Sequence, residues 1–197
     1  MIGLVELRAL IATGETLPVE FKGEERCALG DSDLVQAVVC LANRTGEGDA
    51  WLLIGVEDDG RVTGARPRHG TTTAPAKVEA LVAGRTRPAL SVEAEAVTFD
   101  AKPVLVIRIP KASQAISTSD GVFLRRCIGG DGWPACQPMD ALGVLSLQAD
   151  RGLADSSAQT VAGARWTDLD PLEFDRFRRS IRERRLGDES LLDLDDL

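Results

Sequence analysis

The segment between residues 31 and 56 constrains the fold of this 197-residue chain more than any other part. A helix predicted from Ser32 or Asp31 to about Asn43 carries apolar residues over nearly all of its surface. A surface helix keeps one polar face towards water, so this pattern predicts a helix buried in the centre of the domain. After a turn at residues 46–49, a continuous apolar run at 50–56 has the length of a buried strand. We therefore expect this segment to lie at the centre of the domain.

Patterns on either side predict further helices and strands. Asp59-Gly60 is a strong hairpin signal, in which residues 61–64 would return as the partner strand of the apolar run. Pro75 suits the first turn of a helix. In chain order the patterns predict a helix at 4–12, a strand at 17–22, a helix at 76–83, strands at 90–99 and 103–109, a short strand at 121–126 and a helix at 138–148. Together they predict an α+β fold, with a mixed or antiparallel sheet packed against helices.

The composition changes towards the C-terminus and predicts three parts of the chain. A domain at residues 1–149 is followed by a linker at 150–165, which is rich in Ala, Ser, Gly and Asp. A helical extension is predicted at 166–197, and its apolar residues would be Phe174, Phe177 and Ile181. These residues could pack on the chain's own domain, or they could anchor a partner or a second copy in a homodimer. We expect the chain to lead into further domains of a longer protein.

Composition and charge narrow the possible functions. The formal net charge is −8 and aromatic residues make up only 4% of the chain. An acidic chain is poorly suited to indiscriminate duplex binding, which needs many phosphate contacts, and few aromatic rings limit base stacking. Residues 60–90 are an exception, with six basic residues and one acidic residue. This basic segment could form a selective site for a polyanion, or it could be an ordinary solvated surface.

The cysteine pattern and the N-terminus bear on location. The four cysteines are widely scattered without a C-x-x-C pair, and His69 is the only histidine, so we expect reduced thiols rather than a zinc site. No secretory signal is visible, and no apolar run approaches the roughly 18–20 residues that cross a membrane. The sequence therefore predicts a cytoplasmic protein without a membrane partner.

Several motifs in a fixed order resemble the Schlafen Alba-like domain family, bacterial type. They are Val19-Glu-Phe-Lys22, Leu52-Leu-Ile-Gly-Val-Glu-Asp-Asp-Gly60, Val104-Leu-Val-Ile-Arg-Ile-Pro110 and Phe123-Leu-Arg-Arg126. The resemblance covers roughly residues 6–145. It implies a nucleic-acid-binding domain, and bacterial members often place it before a winged helix and an ATP-binding module. A role as the N-terminal module of a transcriptional-regulator-like protein is thus our first hypothesis for function, with DNA or RNA as the partner.

The same resemblance implies candidate catalytic and metal-binding residues. Some animal relatives cut tRNA and rRNA with a metal held by two Glu and one Asp, and Glu15, Glu20 and Asp58 fall on those positions. Carboxylates are the ligands that Mg²⁺ or Mn²⁺ prefers, and such an ion can activate a nucleophile beside a phosphate. The basic residues that could hold flanking phosphates are Lys22, Arg61, Arg66, Arg68, Arg85, Arg87, Arg125 and Arg126.

Each of the three acids also has an ordinary structural interpretation. Glu20 could be the outward residue of a half-exposed strand, Asp58 a turn residue and Glu15 a loop acid. A metal-dependent endoribonuclease is therefore the second hypothesis, and a protein-interaction domain is the third. No cofactor is certain from the sequence.

Overall fold

The computed structural model describes residues 2–153, 163, 165, 168 and 170–184. The chain divides into two compact units, Met1–Ala154 and Asp155–Leu197. The helices of the described residues are α1 (Leu4–Thr13), α2 (Asp31–Ala42), α3 (Pro75–Arg85), α4 (Ala141–Asp150) and α5 (Pro171–Arg184). The strands are β1 (Val19–Lys22), β2 (Ala50–Ile54), β3 (Thr86–Arg87), β4 (Glu93–Phe99), β5 (Lys102–Ile109), β6 (Ser117–Thr118), β7 (Leu124–Ile128) and β8 (Pro134–Pro138).

A four-stranded mixed sheet with the order β1-β2-β5-β4 forms the centre of the first unit. β1 and β2 are parallel, whereas β2 with β5 and β4 with β5 are antiparallel. Two small antiparallel sheets, β3-β6 and β7-β8, lie outside it. The predicted α+β class with a mixed sheet packed against helices is confirmed.

Both faces of the sheet are covered, which explains the continuous apolar run of β2. Leu52 and Ile54 belong to a core cluster formed with α2 and α3. Leu53, between them, points to a second cluster that includes Leu7 of α1 and Phe21. Because successive side chains of a strand point to opposite faces, a strand buried on both sides needs apolar residues at every position.

α2 is as deeply buried as the sequence predicts. Every residue from Val38 to Ala42 is at most 1% exposed. At the end of this helix the fully buried Asn43 links two distant segments: its side-chain amide nitrogen donates to Ile116 O at 2.7 Å and to Leu124 O at 2.8 Å. Its Oδ1 accepts from Ile116 N at 2.9 Å. Asn43 thus fixes the start of β7 to the helix.

The prediction that residues 61–64 form the partner strand of β2 is wrong. The turn is present, with Glu57 N donating to Arg61 O at 2.9 Å, but the returning segment meets only residues that follow β2: one bridge joins Val56 and Val62, and Thr63 N and Gly64 N donate to Gly55 O at 2.9 and 3.0 Å. β5 occupies the antiparallel edge of β2 instead. Glycine is required at position 55, where the chain leaves β2 and passes close to Ala65. Its φ is +93°, and a Cβ there would lie 2.2 Å from Ala65 N.

Two further predictions need correction near the end of the first unit. Pro138 ends strand β8 rather than starting a helix, and α4 begins at Ala141, where Asp140 caps it by accepting from Gly143 N at 2.8 Å. Cys40 of α2 and Cys136 of β8 form a disulfide bond, so the prediction of four reduced thiols is wrong for this pair. The two cysteines are 96 residues apart, a separation at which sequence carries no pairing signal.

The second unit is described only in part. α5 lies within the predicted helical extension, and its Leu172 and Phe177 are exposed. The side chains of Phe174 and Ile181, and most of the predicted linker, lie outside the described residues. None of the described helices is long and apolar enough to cross a membrane.

Replacing Asn43 tests its role in the core. We expect Asn43→Ala to lower the free energy of unfolding by about 2–4 kcal/mol, because it leaves one buried N–H and two buried carbonyls without their partner. Urea denaturation followed by circular dichroism measures the change. Gln36→Ala, on the same helix but half-buried, should stay within about 0.5 kcal/mol of the parent. Equal losses for the two variants would contradict the assignment.

Candidate functional site

Glu15 and Glu20 lie together at the open edge of the central sheet. Glu15 is in the connection between α1 and β1, and its Oε1 accepts a hydrogen bond from Phe21 N at 2.7 Å. Glu20 is on β1 opposite Leu52 of β2 and is only 8% exposed. These two of the three acids that the resemblance singled out therefore lie at the same edge, where they share a neighbour that was not foreseen.

That neighbour is Arg126 of β7, which is 2% exposed and reaches between the two carboxylates. Its Nη1 forms an ion pair with Glu20 Oε2, and its Nη2 lies 3.6 Å from Glu15 Oε2. The same guanidinium donates to the main chain of the sheet edge, from Nε to Thr16 O at 2.9 Å and from Nη2 to Val19 O at 3.0 Å. Arg126 thus provides hydrogen-bond donors to main-chain carbonyls at the β1 edge of the sheet and also pairs with the carboxylates.

Lys22 completes this carboxylate–guanidinium cluster of Glu15, Glu20, Lys22 and Arg126. Its Nζ pairs with Glu20 Oε1, and its side chain is 34% exposed. Burial lowers the pKa of Arg126 from its ordinary value, and the charge and hydrogen bond of Glu15 oppose this shift. With two positive and two negative side chains the cluster is neutral, and each buried charge depends on its partner.

Asp58 does not join this cluster. It lies exposed in the turn before Gly60. In the described part of the chain no group of three or more His, Cys, Asp or Glu side chains could hold a metal ion. In this arrangement Arg126 supplies the positive charge that Mg²⁺ or Mn²⁺ would supply, so the residues present do not fit a divalent ion. A catalytic role for the trio stays a prediction.

Comparison with known proteins identifies the domain. Residues 15–130 match the model of the family described as Schlafen, AlbA_2, which is more than half of the chain. The chain belongs to the Schlafen, AlbA_2 family. No curated protein matches its sequence.

Two solved structures resemble this Schlafen, AlbA_2 chain. The crystal structure of the DIP2311 protein from Corynebacterium diphtheriae has a TM-score of 0.55 and 19% identity, covering 89% of this chain and 37% of that one. At this identity the likeness is one of fold, and the chain spans little more than a third of that protein. The N-terminal domain of a RecG-related protein from Nitrosomonas europaea has a TM-score of 0.44 and 20% identity, covering 84% of this chain and 99% of that one.

Three of the predicted phosphate-binding arginines of this Schlafen, AlbA_2 domain are bound to the acidic loop, residues 23–31. Arg68 is only 9% exposed in its side chain and pairs with the fully buried Glu24 at 3.1 Å and with Asp31 at 3.5 Å. Arg66 donates from its guanidinium to the carbonyls of Glu24 and Glu25 at 2.8 and 2.9 Å. Arg61 pairs with Glu25 at 3.3 Å and with Asp59 at 2.8 Å. Much of the positive charge of the basic segment is thus compensated.

The other basic residues considered for phosphate binding differ in their exposure and in their ion pairs. Arg125 is partly buried and lies 3.9 Å from Asp150. Arg85, at the end of α3, and Arg87, in β3, are exposed, and within the described part of the chain neither forms an ion pair with a carboxylate. Arg87 donates to carbonyls of its own segment, Gly84 O at 3.0 Å and Thr86 O at 2.7 Å. Lys77, earlier on α3, is also exposed.

Sequence reasoning missed Glu24, the anchor of the acidic loop. Its two carboxylate oxygens accept from Leu29 N at 2.7 Å and Arg66 N at 2.6 Å in addition to pairing with Arg68. Nothing in the local pattern separates Glu24 from its neighbour Glu25, which is exposed. The one available signal was the excess of arginines at 61–68, which requires compensating acids somewhere in the fold.

A double-mutant cycle tests the carboxylate–guanidinium cluster. We expect Arg126→Met to lower the free energy of unfolding by about 3–5 kcal/mol, because it leaves the buried Glu20 charge with only the partly exposed Lys22 as a partner and removes the donor to Thr16 O and Val19 O. Adding Glu20→Gln should recover part of this loss by removing the stranded charge. Asp58→Asn, in an exposed turn, should change stability by no more than about 0.5 kcal/mol. Denaturant titration measures all of them, and strictly additive losses for Arg126 and Glu20 would contradict the coupling.

Proposed function

We propose that this chain is a nucleic-acid-binding domain and that it acts as one module of a longer, bacterial transcriptional-regulator-like protein. Membership of the Schlafen, AlbA_2 family supports the first part. The second is supported by the fold likeness to a protein of which this chain spans only 37%. Binding, rather than catalysis, is the activity that the described residues favour.

The observation that carries the proposal is the exposed pair Arg85 and Arg87. Unlike Arg61 and Arg68, these side chains form no ion pair with a carboxylate of any residue that the structure describes. A phosphate oxygen arriving there would meet guanidinium groups without first displacing an acidic partner. Contacts of this kind position a nucleic acid through its backbone and contribute most of the affinity at low salt.

The composition sets the expected mode of binding. With a net charge of −8, the whole surface cannot attract a polyanion, so we expect binding to be confined to the part where cations of the described residues have no carboxylate partner. The described tryptophans do not lie in the basic segment: Trp51 is on β2 and Trp133 is beside β8. We therefore infer a small interface dominated by phosphate contacts with Arg85, Arg87 and Lys77.

Metal-dependent RNA cleavage is not part of this proposal. Arg126 and Lys22 already neutralise Glu15 and Glu20, and no three-carboxylate site is present among the described residues. Incubation with tRNA and Mn²⁺ tests this directly. Cleavage that is lost in a Glu20→Ala, Asp58→Ala variant would restore the nuclease hypothesis.

Neutralising Arg85 and Arg87 tests the proposed interface. The parent should bind fluorescent single-stranded or duplex DNA or RNA at salt on the order of 50 mM, with an affinity that falls steeply as salt rises. Arg85→Gln with Arg87→Gln should weaken binding and reduce the slope of log affinity against log salt by about 2, because two phosphate contacts are lost. Fluorescence anisotropy at several salt concentrations measures both quantities.

The matched control makes the same change in charge at two arginines that are already bound within the domain. Arg61→Gln with Arg66→Gln also removes two positive charges, but from side chains that are bound to the acidic loop. We expect a clearly smaller effect on the salt slope. Failure of the parent to bind any of the four probes would overturn the proposal, and equal slopes for the two double variants would reject Arg85 and Arg87 as the interface.

A further inference from the structure

The β7–β8 hairpin carries two attachments to the body of the domain at the same position along its length. Arg126 of β7 lies directly opposite Cys136 of β8 in the antiparallel register. Directly opposed residues of an antiparallel pair project to the same face of the ladder. One of these side chains reaches the carboxylates at the edge of β1, and the other is bonded to Cys40 of α2.

The two ends of the hairpin are held in different ways. At its start, Leu124 is buried in the main core and its carbonyl accepts from the Asn43 side chain at 2.8 Å. At its far end, Ile128 and Trp133 are 53% and 69% exposed. Beyond Leu124, within the part of the chain that the structure describes, the polar attachments to the body are those of Arg126 and a longer ion pair of Arg125 with Asp150 at 3.9 Å, while the disulfide at Cys136 is the covalent one.

We propose that the Cys40–Cys136 disulfide is a redox-controlled latch that holds Arg126 between Glu15 and Glu20. With the bond intact, the outer hairpin cannot move away from α2, so the guanidinium stays in the cluster. With the bond reduced, the outer hairpin can pivot about the fixed Leu124 end. Arg126 then leaves the cluster, and the Glu15 and Glu20 carboxylates become accessible.

A reductant can reach only one of the two sulfur atoms of the disulfide. Cys136 is exposed, whereas Cys40 is 1% exposed. A thiolate of a dithiol reductant attacks the Cys136 sulfur, the S–S bond breaks with its electron pair on Cys40 Sγ, and that sulfur takes up a proton. The second thiol of the reductant then displaces the Cys136 sulfur, which is also protonated. The protein gains two thiols and the reductant is oxidised to its disulfide.

Release of the hairpin and unfolding of the whole domain can be told apart with trypsin. Arg126 and Arg44 are both at most 2% exposed, so the intact domain should resist cleavage after either residue. Arg126 lies on the hairpin, whereas Arg44 follows α2 and donates from Nη1 to Leu41 O at 3.0 Å, in the part that the latch leaves in place. Arg44 is therefore an internal control for global opening.

The experiment compares the whole chain, oxidised and after treatment with dithiothreitol, in a trypsin time course read by mass spectrometry. We expect reduction to speed cleavage after Arg125 or Arg126 on the order of tenfold or more, with little change after Arg44. Cys136→Ser should show the faster cleavage without reductant. Cys27→Ser, which removes an exposed free cysteine, should behave like the parent in both states.

Three results would overturn the latch. The first is an oxidised protein in which peptide mapping finds Cys40 and Cys136 as free thiols. The second is unchanged resistance after Arg126 on reduction. The third is equal acceleration after Arg126 and Arg44, which would mean that the bond stabilises the whole domain and does not control the hairpin.

Discussion

The burial of β2 on both faces and along both edges is the constraint on which the rest of this structure depends. β1 and β5 occupy its edges, and its side chains enter two separate core clusters. Of its five residues Trp51 alone is partly exposed, and none carries a titratable side chain. Polar groups collect at the outer edge of β1, where main-chain carbonyls need donors, and Arg126 satisfies this need while it also pairs with two carboxylates.

Local patterns in the sequence were sufficient where local interactions decide the structure. α2 is set by its apolar surface, and the β4–β5 hairpin by a turn at Asp100 and Ala101, which adopt φ values of 47° and 62°. The partner strand predicted at 61–64 failed for the opposite reason. A turn signal does not identify the strand that finally pairs. The antiparallel edge of β2 is occupied by β5, a longer apolar strand that lies about 50 residues further along the chain.

The candidate site shows the same limit for charged residues. The family resemblance placed Glu15 and Glu20 together, but it could not show that Arg126, more than 100 residues away, lies between them. The excess of arginines in the basic segment likewise led to the prediction that Arg68 binds a phosphate, although in the fold it is buried against Glu24. Whether a cation serves a ligand or the fold depends on its desolvation and its partner, which are properties of the folded chain.

α1 lies wholly before the family-matching segment, which begins at residue 15, yet it covers one face of the sheet. Leu7 and Ile2 pack in the same cluster as Phe21, Leu53 and Val106. Without them, a row of large apolar side chains on neighbouring strands would face water, the kind of surface that drives association between copies. The packed core therefore extends beyond the homologous segment, and the N-terminal residues shield one apolar face of the sheet from water.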